Sequence, residues 1–216
     1  MNFLRQHDFL SPEKFNDVRF HVIGAGAVGS YTALILGKMG AQEITIYDPD
    51  RVEETNISNQ LYKHDDIGKN KVDVLESLLK EHTETEIRKV PQKFNNLVSH
   101  GIVISAVDSM ESRKDIWDNI KDQRFKLYID SRMGGLTGVV YPVYPGDSSF
   151  DQKLEGTRVD LPCTGRGISY TSSGISSFIG ILVKKFLNGQ ETPVVVLDFE
   201  LLSIYTYPSV SESPDF

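Results

Sequence analysis

The chain has 216 residues, 39% of them hydrophobic and 25% charged, and 23 Lys+Arg against 30 Asp+Glu give a formal net charge of −7. That balance predicts one soluble globular domain over residues 1–216 with a real core, and no nucleic-acid or membrane partner. A single cysteine, Cys163, excludes an intrachain disulfide and a four-cysteine zinc site.

In chain order, the first ten residues, MNFLRQHDFL, carry Arg5, His7 and Asp8 where a secretory leader needs an unbroken apolar run. No later segment offers ~18 uncharged apolar residues, so the expected location is the cytoplasm. Residues 18–23 are β-prone, GAGAVG follows, and Val28, Leu34, Leu36 and Met39 then recur at helical spacing up to a capping Gly40. EITIYD predicts a second strand ending at Asp48. Residues 51–71 are polar and without period, long for a connection in a compact domain and therefore a candidate functional loop. From Asn70, Val72, Leu75, Leu78 and Leu79 share one helical face. TEIRKVPQ and GIVISAV predict strands, the second buried and ending at Asp108, and Ser109 is placed to cap a helix over SMESRKDIWDNIKD. KLYIDSRMGG and TGVVYPVYP read as strands around a glycine turn, residues 147–166 as loop, GISYTSSGISSFIGILVKKFLNG as a long helix with a small-residue face, and PVVVLDFELLSIYTY as β again. The aromatic residues of those last strands read as core. Strands alternating with helices predict an α/β fold with a doubly wound, mostly parallel sheet and an antiparallel C-terminal extension.

Gly24, Gly26 and Gly29 fit G-x-G-x-x-G between a strand and a helix. Such a turn needs residues free of Cβ sterics, lets backbone approach a phosphate, and delivers the anion to the N–H groups and positive dipole end of the helix. Asp48 follows Gly29 by about 20 residues at a strand end, where a carboxylate accepts ribose hydroxyls. These elements predict a nucleotide site and leave NAD and ATP equally open. Downstream, Lys71 stands in the first turn of its helix, where a cation opposes the macrodipole; a lysine reaching a triphosphate explains that choice and a solvated side chain is the alternative. Asp108 stands at the carboxyl end of a buried strand, as a Mg2+ ligand or as a helix cap.

These residues, taken in order, resemble the ubiquitin-activating-enzyme (ThiF/MoeB/HesA) superfamily, in its small bacterial or phage-type adenylyltransferase branch. The resemblance runs through VIGAGAVGSYTALILGKMGAQEITIYDPDRVEETNISNQLYKHDDIGKNKV and VISAVDSMESR, then IDSRMGG and PCTGRGISYTSSGISSFIG, and is strongest over residues 18–135. It implies a Rossmann-like fold. It also implies ATP contacts from Gly24, Gly26, Ala27 and Gly29, from Asp48 and Asp50, from the Thr55–Asn59 loop with Asn56 and Asn59, and from Lys71. Asp108 is the implied Mg2+ residue, and Arg5 matches an arginine that crosses a homodimer interface to the partner's phosphates. The implied reaction is activation of the C-terminal carboxylate of a small ubiquitin-like or sulfur-carrier protein as an acyl-adenylate. The chain departs from the pattern at NISNQ, where Asn59 stands for an arginine, and it lacks a C-x-x-C zinc knuckle. Arg132 and the glycines after it are a candidate surface for the carrier's tail, with a plain turn as the alternative. Cys163 reads as structural rather than as a thioester nucleophile, and the five histidines have no metal-ligand spacing. Two rival readings remain: an NAD-dependent oxidoreductase, and a degenerate subunit that holds a nucleotide or carrier without turnover.

Overall fold

The strands that the sequence marks by β-branched runs assemble into one eight-stranded sheet in a computed structural model that describes residues 1–95, 100–155 and 167–215. In chain order the elements are β1 (Arg19–Ile23), α1 (Ala27–Met39), β2 (Glu43–Tyr47), α2 (Lys71–His82), β3 (Glu86–Val90), β4 (Gly101–Ser105), α3 (Met110–Ile120), β5 (Leu127–Gly134), β6 (Thr137–Val143), α4 (Ser149–Glu155), α5 (Ser169–Leu187), β7 (Val194–Asp198) and β8 (Ser203–Tyr207). The strand order is β3-β2-β1-β4-β5-β6-β7-β8. Strands β1 to β5 pair in parallel, and β6, β7 and β8 add antiparallel. This is the expected α/β, Rossmann-like sheet with its antiparallel C-terminal extension.

Two apolar layers hold it. On one face, Val28, Ala33 and Leu36 of α1, Val72, Leu75 and Leu79 of α2, and Ile175, Ile179, Leu182 and Val183 of α5 pack against Val22, Ile44, Ile46, Ile102 and Ile104. Small residues of α5 let α1 approach: Ser176 Oγ donates to the Val28 carbonyl at 2.8 Å, and a Cβ on Gly180 would come within 2.9 Å of Ile35. On the other face, Trp117 of α3 and Phe150 of α4 stack edge-to-face at 5.1 Å over Tyr128 and Tyr141. Gly40 caps α1 at φ 115°, its N–H bonded to the Leu36 carbonyl.

Three sequence expectations need correction. Residues 149–155 of the expected loop form α4, because Phe150 inserts among aromatic rings distant in sequence. Tyr205 of β8 is exposed rather than core, since β8 is an outer strand of the described sheet. Arg132 is not a surface residue: it is 4% exposed and ion-paired to Asp130, so it forms no part of a surface for the carrier's tail. The glycine turn after it, with Gly135 at φ 63°, closes the β5–β6 hairpin.

Candidate functional site

In open α/β sheets the connections from adjacent strands diverge where the strand order reverses, and this leaves a crevice at the carboxyl ends. Here that point lies between β1 and β4, and a cleft of about 810 Å³ opens there. It is lined by Gly24, Gly26 and Ala27 after β1, by Asp48 and Asp50 after β2, by Asn56, Asn59 and Lys71, and by Ala106 to Ser109 after β4.

The three glycines do different work. Gly24 has φ +95°, and a Cβ there would lie 2.5 Å from the Ala106 carbonyl oxygen; one on Gly29 would lie 1.8 Å from the Gly24 carbonyl oxygen. Both are required by close approach of backbone to backbone. Gly26 is different, for a Cβ on it meets nothing within 4 Å. It lines the cleft as the N-cap of α1 with no side chain capping the helix, so first-turn N–H donors remain available for an anion.

Asp48 is 5% exposed. One carboxylate oxygen accepts the Ala25 N–H at 2.6 Å and the other the Asp50 N–H at 2.8 Å. Burial raises its carboxyl above the ordinary range, opposed by the nearby Lys71 charge and by those backbone bonds. Tyr62, a residue that the sequence reading passed over, donates its hydroxyl to the Ala25 carbonyl at 2.6 Å and so braces the same turn.

Residues 51–70 are pinned at the neck. Val52 N–H donates to the Lys69 carbonyl at 2.9 Å, Gly68 N–H to the Val52 carbonyl at 2.8 Å, and Arg51 to the Gly68 carbonyl at 2.7 Å. Asn56 Oδ1 accepts the Glu53 N–H at 2.9 Å, which organises the loop beside the cleft. Asn59 is buried; its amide nitrogen reaches the Gly167 carbonyl only at 3.5 Å, and its Oδ1 has no partner among the described residues. Lys71 is 7% exposed, so the solvated alternative for it is excluded. Its ammonium meets Asp50 Oδ2 at 3.0 Å.

Asp108 is exposed at the cleft and makes no hydrogen bond or ion pair among the described residues. The helix-cap alternative falls to its neighbour, since Ser109 Oγ accepts the Ser112 N–H at 3.1 Å. The described residues contain no cluster of three or more His, Cys, Asp or Glu able to hold a metal alone. A single free carboxylate suits Mg2+, which is commonly held by one or two carboxylates together with substrate phosphates.

Beneath Asp108 lies a buried network that the sequence reading missed. Arg113 donates one nitrogen to Asp130 at 2.5 Å and another to the Val107 carbonyl. Asp130 is fully buried, and its other oxygen takes Arg132 Nε at 2.8 Å. Arg132 continues to the Lys153 carbonyl at 3.2 Å and lies 4.9 Å from the Tyr141 ring centre. Burial alone would raise the Asp130 carboxyl, but the Arg113 and Arg132 charges outweigh it and hold the group below the carboxylate range. The available signal was Asp130 and Arg132, two apart on a strand, hence on one face.

Arg5 is not in this cleft. It is exposed in the N-terminal turn, beside a shallow groove with Phe3 and Lys38. Cys163 lies outside the described residues.

The ThiF family model matches residues 4–205. The chain belongs to the ThiF family. Among ThiF-family relatives, the sulfur carrier protein ThiS adenylyltransferase of Bacillus subtilis is 26% identical over 202 residues, 88% of this chain and 60% of that protein. Ubiquitin-like modifier-activating enzyme 5 of Branchiostoma floridae is 25% identical over 158 residues, 63% of this chain and 39% of that protein. The chain thus spans less than two thirds of either relative. Among solved structures, Escherichia coli MccB with ATP aligns at a TM-score of 0.73 and 19% identity over 94% of this chain and 67% of that one. PaaA aligns at 0.72 and 21% over 94% and 68%. These two likenesses show the shared fold.

Proposed function

We propose that the chain, acting as one domain over residues 1–216, is an ATP-dependent adenylyltransferase that activates the C-terminal carboxylate of a small ubiquitin-like or sulfur-carrier protein. The observation that carries this is the convergence of the uncapped α1 N-terminus, Lys71 and the Asp108 carboxylate, unengaged among the described residues, on one cleft. The named activity of the Bacillus relative and the ATP in the MccB structure support it.

In this reading the Gly24–Gly29 turn and Ala27 take the phosphates, Asp48 stands at the ribose end, Asp50 lies between it and the phosphates beside Lys71, and Asn56 and Asn59 flank the chain of phosphates. The carrier's carboxylate, with a pKa of about 3.5, is ionised at neutral pH and needs no general base. One of its oxygens attacks the α-phosphorus; a P–O bond to the acyl group forms as the bond to pyrophosphate breaks. Positioning and charge neutralisation are then the whole catalytic task. Lys71 supplies a fixed cation, and Asp108 would hold Mg2+, which when bound offsets charge on the departing pyrophosphate. Arg5, remote from the cleft of its own chain, would act from the partner in a homodimer.

The test is ATP–pyrophosphate exchange with Mg2+ and a sulfur-carrier protein ending in Gly-Gly. Exchange should require both, and Lys71→Ala or Asp108→Ala should each lower it by about 10²-fold without unfolding the chain. Exchange without carrier, a response to NAD instead, or undiminished turnover in both variants would overturn the reading. One observation favours binding without turnover: residue 59 presents a neutral amide with an unpartnered oxygen where a cation would serve the phosphates. ATP binding with no exchange would select that reading.

A further inference from the structure

Lys71 and Asp50 are joined twice. The Lys71 backbone N–H donates to the Asp50 carbonyl at 3.0 Å, and the Lys71 ammonium meets Asp50 Oδ2 at 3.0 Å. The two side chains are otherwise unlike: that of Lys71 is 9% exposed and that of Asp50 is 64% exposed. A buried ammonium requires an anion beside it, and the chain supplies one itself. Lys71 is fixed by burial in the first turn of α2, whereas the Asp50 carboxylate has no second partner among the described residues and faces the opening of the cleft. Asp50 is thus free to leave, and Lys71 is not.

An ammonium carries one charge. A phosphate reaching Lys71 while Asp50 stays would set two anions against a single cation, so entry of the phosphate requires the carboxylate to swing into solvent. We propose that Asp50 is a specificity-determining placeholder, an internal anion that occupies Lys71 until a nucleotide phosphate displaces it. The proposal rests on the nucleotide reading above and adds to it a built-in penalty on phosphate entry. A ligand with no phosphate escapes that penalty and gains nothing from Lys71.

Asp50→Asn tests this without disturbing the loop, because the Asp50 N–H bond to Asp48 and the Asp50 carbonyl bond to Lys71 are backbone contacts. Dissociation constants for ATP and for adenosine, measured calorimetrically without Mg2+, are compared for the native chain, Asp50→Asn, Lys71→Met and the double variant. ATP should bind Asp50→Asn ~5-fold more tightly, the scale of one partly exposed ion pair, and adenosine should bind unchanged. The gain should vanish in the Lys71→Met background, and Asp115→Asn, which removes a different cleft carboxylate, should give much less of it. Equal or weaker ATP binding by Asp50→Asn, an equal gain for adenosine, or a gain that survives Lys71→Met overturns the proposal and leaves the nucleotide reading standing. Absence of ATP binding to all four proteins, with Mg2+ as well as without it, overturns both.

Discussion

Replacing Asp130 by asparagine keeps the side chain's shape and removes the anion that Arg113 and Arg132 share, each about 4% exposed in its side chain. Breaking a buried ion pair by deleting one partner costs about 3–5 kcal/mol, because the remaining charge stays buried. Here two buried cations lose the carboxylate that they share, but each keeps other bonds, Arg113 to the Val107 carbonyl and Arg132 among others to that of Lys153. The low end of the range, about 3 kcal/mol, is therefore expected. For a chain of this length that corresponds to a fall in Tm of roughly 6–12 °C. Urea unfolding should give the loss with an unchanged m-value, and Asp118→Asn, whose exposed pair with Lys121 is worth little, should stay within about 0.5 kcal/mol. Acid supplies a second readout. The Asp130 carboxyl lies below its ordinary value of 3.8 when folded, so as pH falls the unfolded chain takes up the proton first. The stability that the carboxylate contributes is present above that value and lost as pH falls through the lower folded one, so the native and Asp130→Asn curves should converge there. A loss under about 1 kcal/mol at neutral pH, or a gap unchanged down to about pH 3, would refute the account of this network.

The glycine turn should separate by position: Gly29→Ala, with its Cβ 1.8 Å from the Gly24 carbonyl oxygen, should lose roughly 3 kcal/mol or more in thermal unfolding, whereas Gly26→Ala should lose about 1 kcal/mol or less and weaken ATP binding instead. Similar stability losses in both would contradict the assignment of Gly26 to ligand approach. His21 is lowered to about 4, by burial first and then by Arg19 and Arg88, so the unfolded chain protonates before the folded one and stability should fall as pH drops from about 6.5 to about 4; His21→Phe should remove that slope. If Arg5 serves a partner's site, inactive Arg5→Ala and Asp108→Ala proteins refolded together should recover up to about a quarter of native exchange activity, since half the dimers are mixed and hold one intact site. Exchange of subunits without recovery would exclude a shared site.

The parallel half of the sheet was legible because its signals are local. VRFHVI, EITIY and GIVIS are strands by β-branched content, their helices show a 3.6 period, and the glycine turn, Asp48, Lys71 and Asp108 fall at strand and helix ends that any such sheet brings together. What the sequence concealed depends on contacts distant along the chain. Helix α4 is seven residues, too short to show a period, and it forms because Phe150 finds Trp117, Tyr128 and Tyr141. Arg132 reads as a surface residue on type alone, and its burial follows from Asp130 on the same strand face and from aromatic rings on β6 and α4. Tyr205 looks like core for the converse reason: its exposure follows from β8 having no further strand outside it among the described residues. The Asp50–Lys71 pair belongs with these, because the lysine's unfavourable place at a helix start pointed to an anion but not to which one.

That anion matters for how the cleft meets a triphosphate. Among the described residues the cations lining it are Arg51, Lys71, Lys93 and Arg113, and they face Asp48, Asp50, Glu53, Asp108 and Asp115. Arg51 is tied to the Gly68 carbonyl, Lys71 to Asp50, and Arg113 to Asp130 and Val107, so three of the four are already engaged. Asn59 adds no charge. A cleft with more carboxylates than cations repels a polyanion unless its charge is met from elsewhere. The sources consistent with the adenylyltransferase reading are Mg2+ brought in with the nucleotide, the α1 dipole, and an arginine from a second chain. Each can be tested separately: chelation removes Mg2+, Gly26→Ala sets a methyl between the phosphates and the α1 N-terminus, and Arg5→Ala removes the arginine. If ATP binding withstands all three, the charge must be met by the chain's own cations. Lys71 would then have to be released by Asp50, and the Asp50→Asn gain should be at its largest.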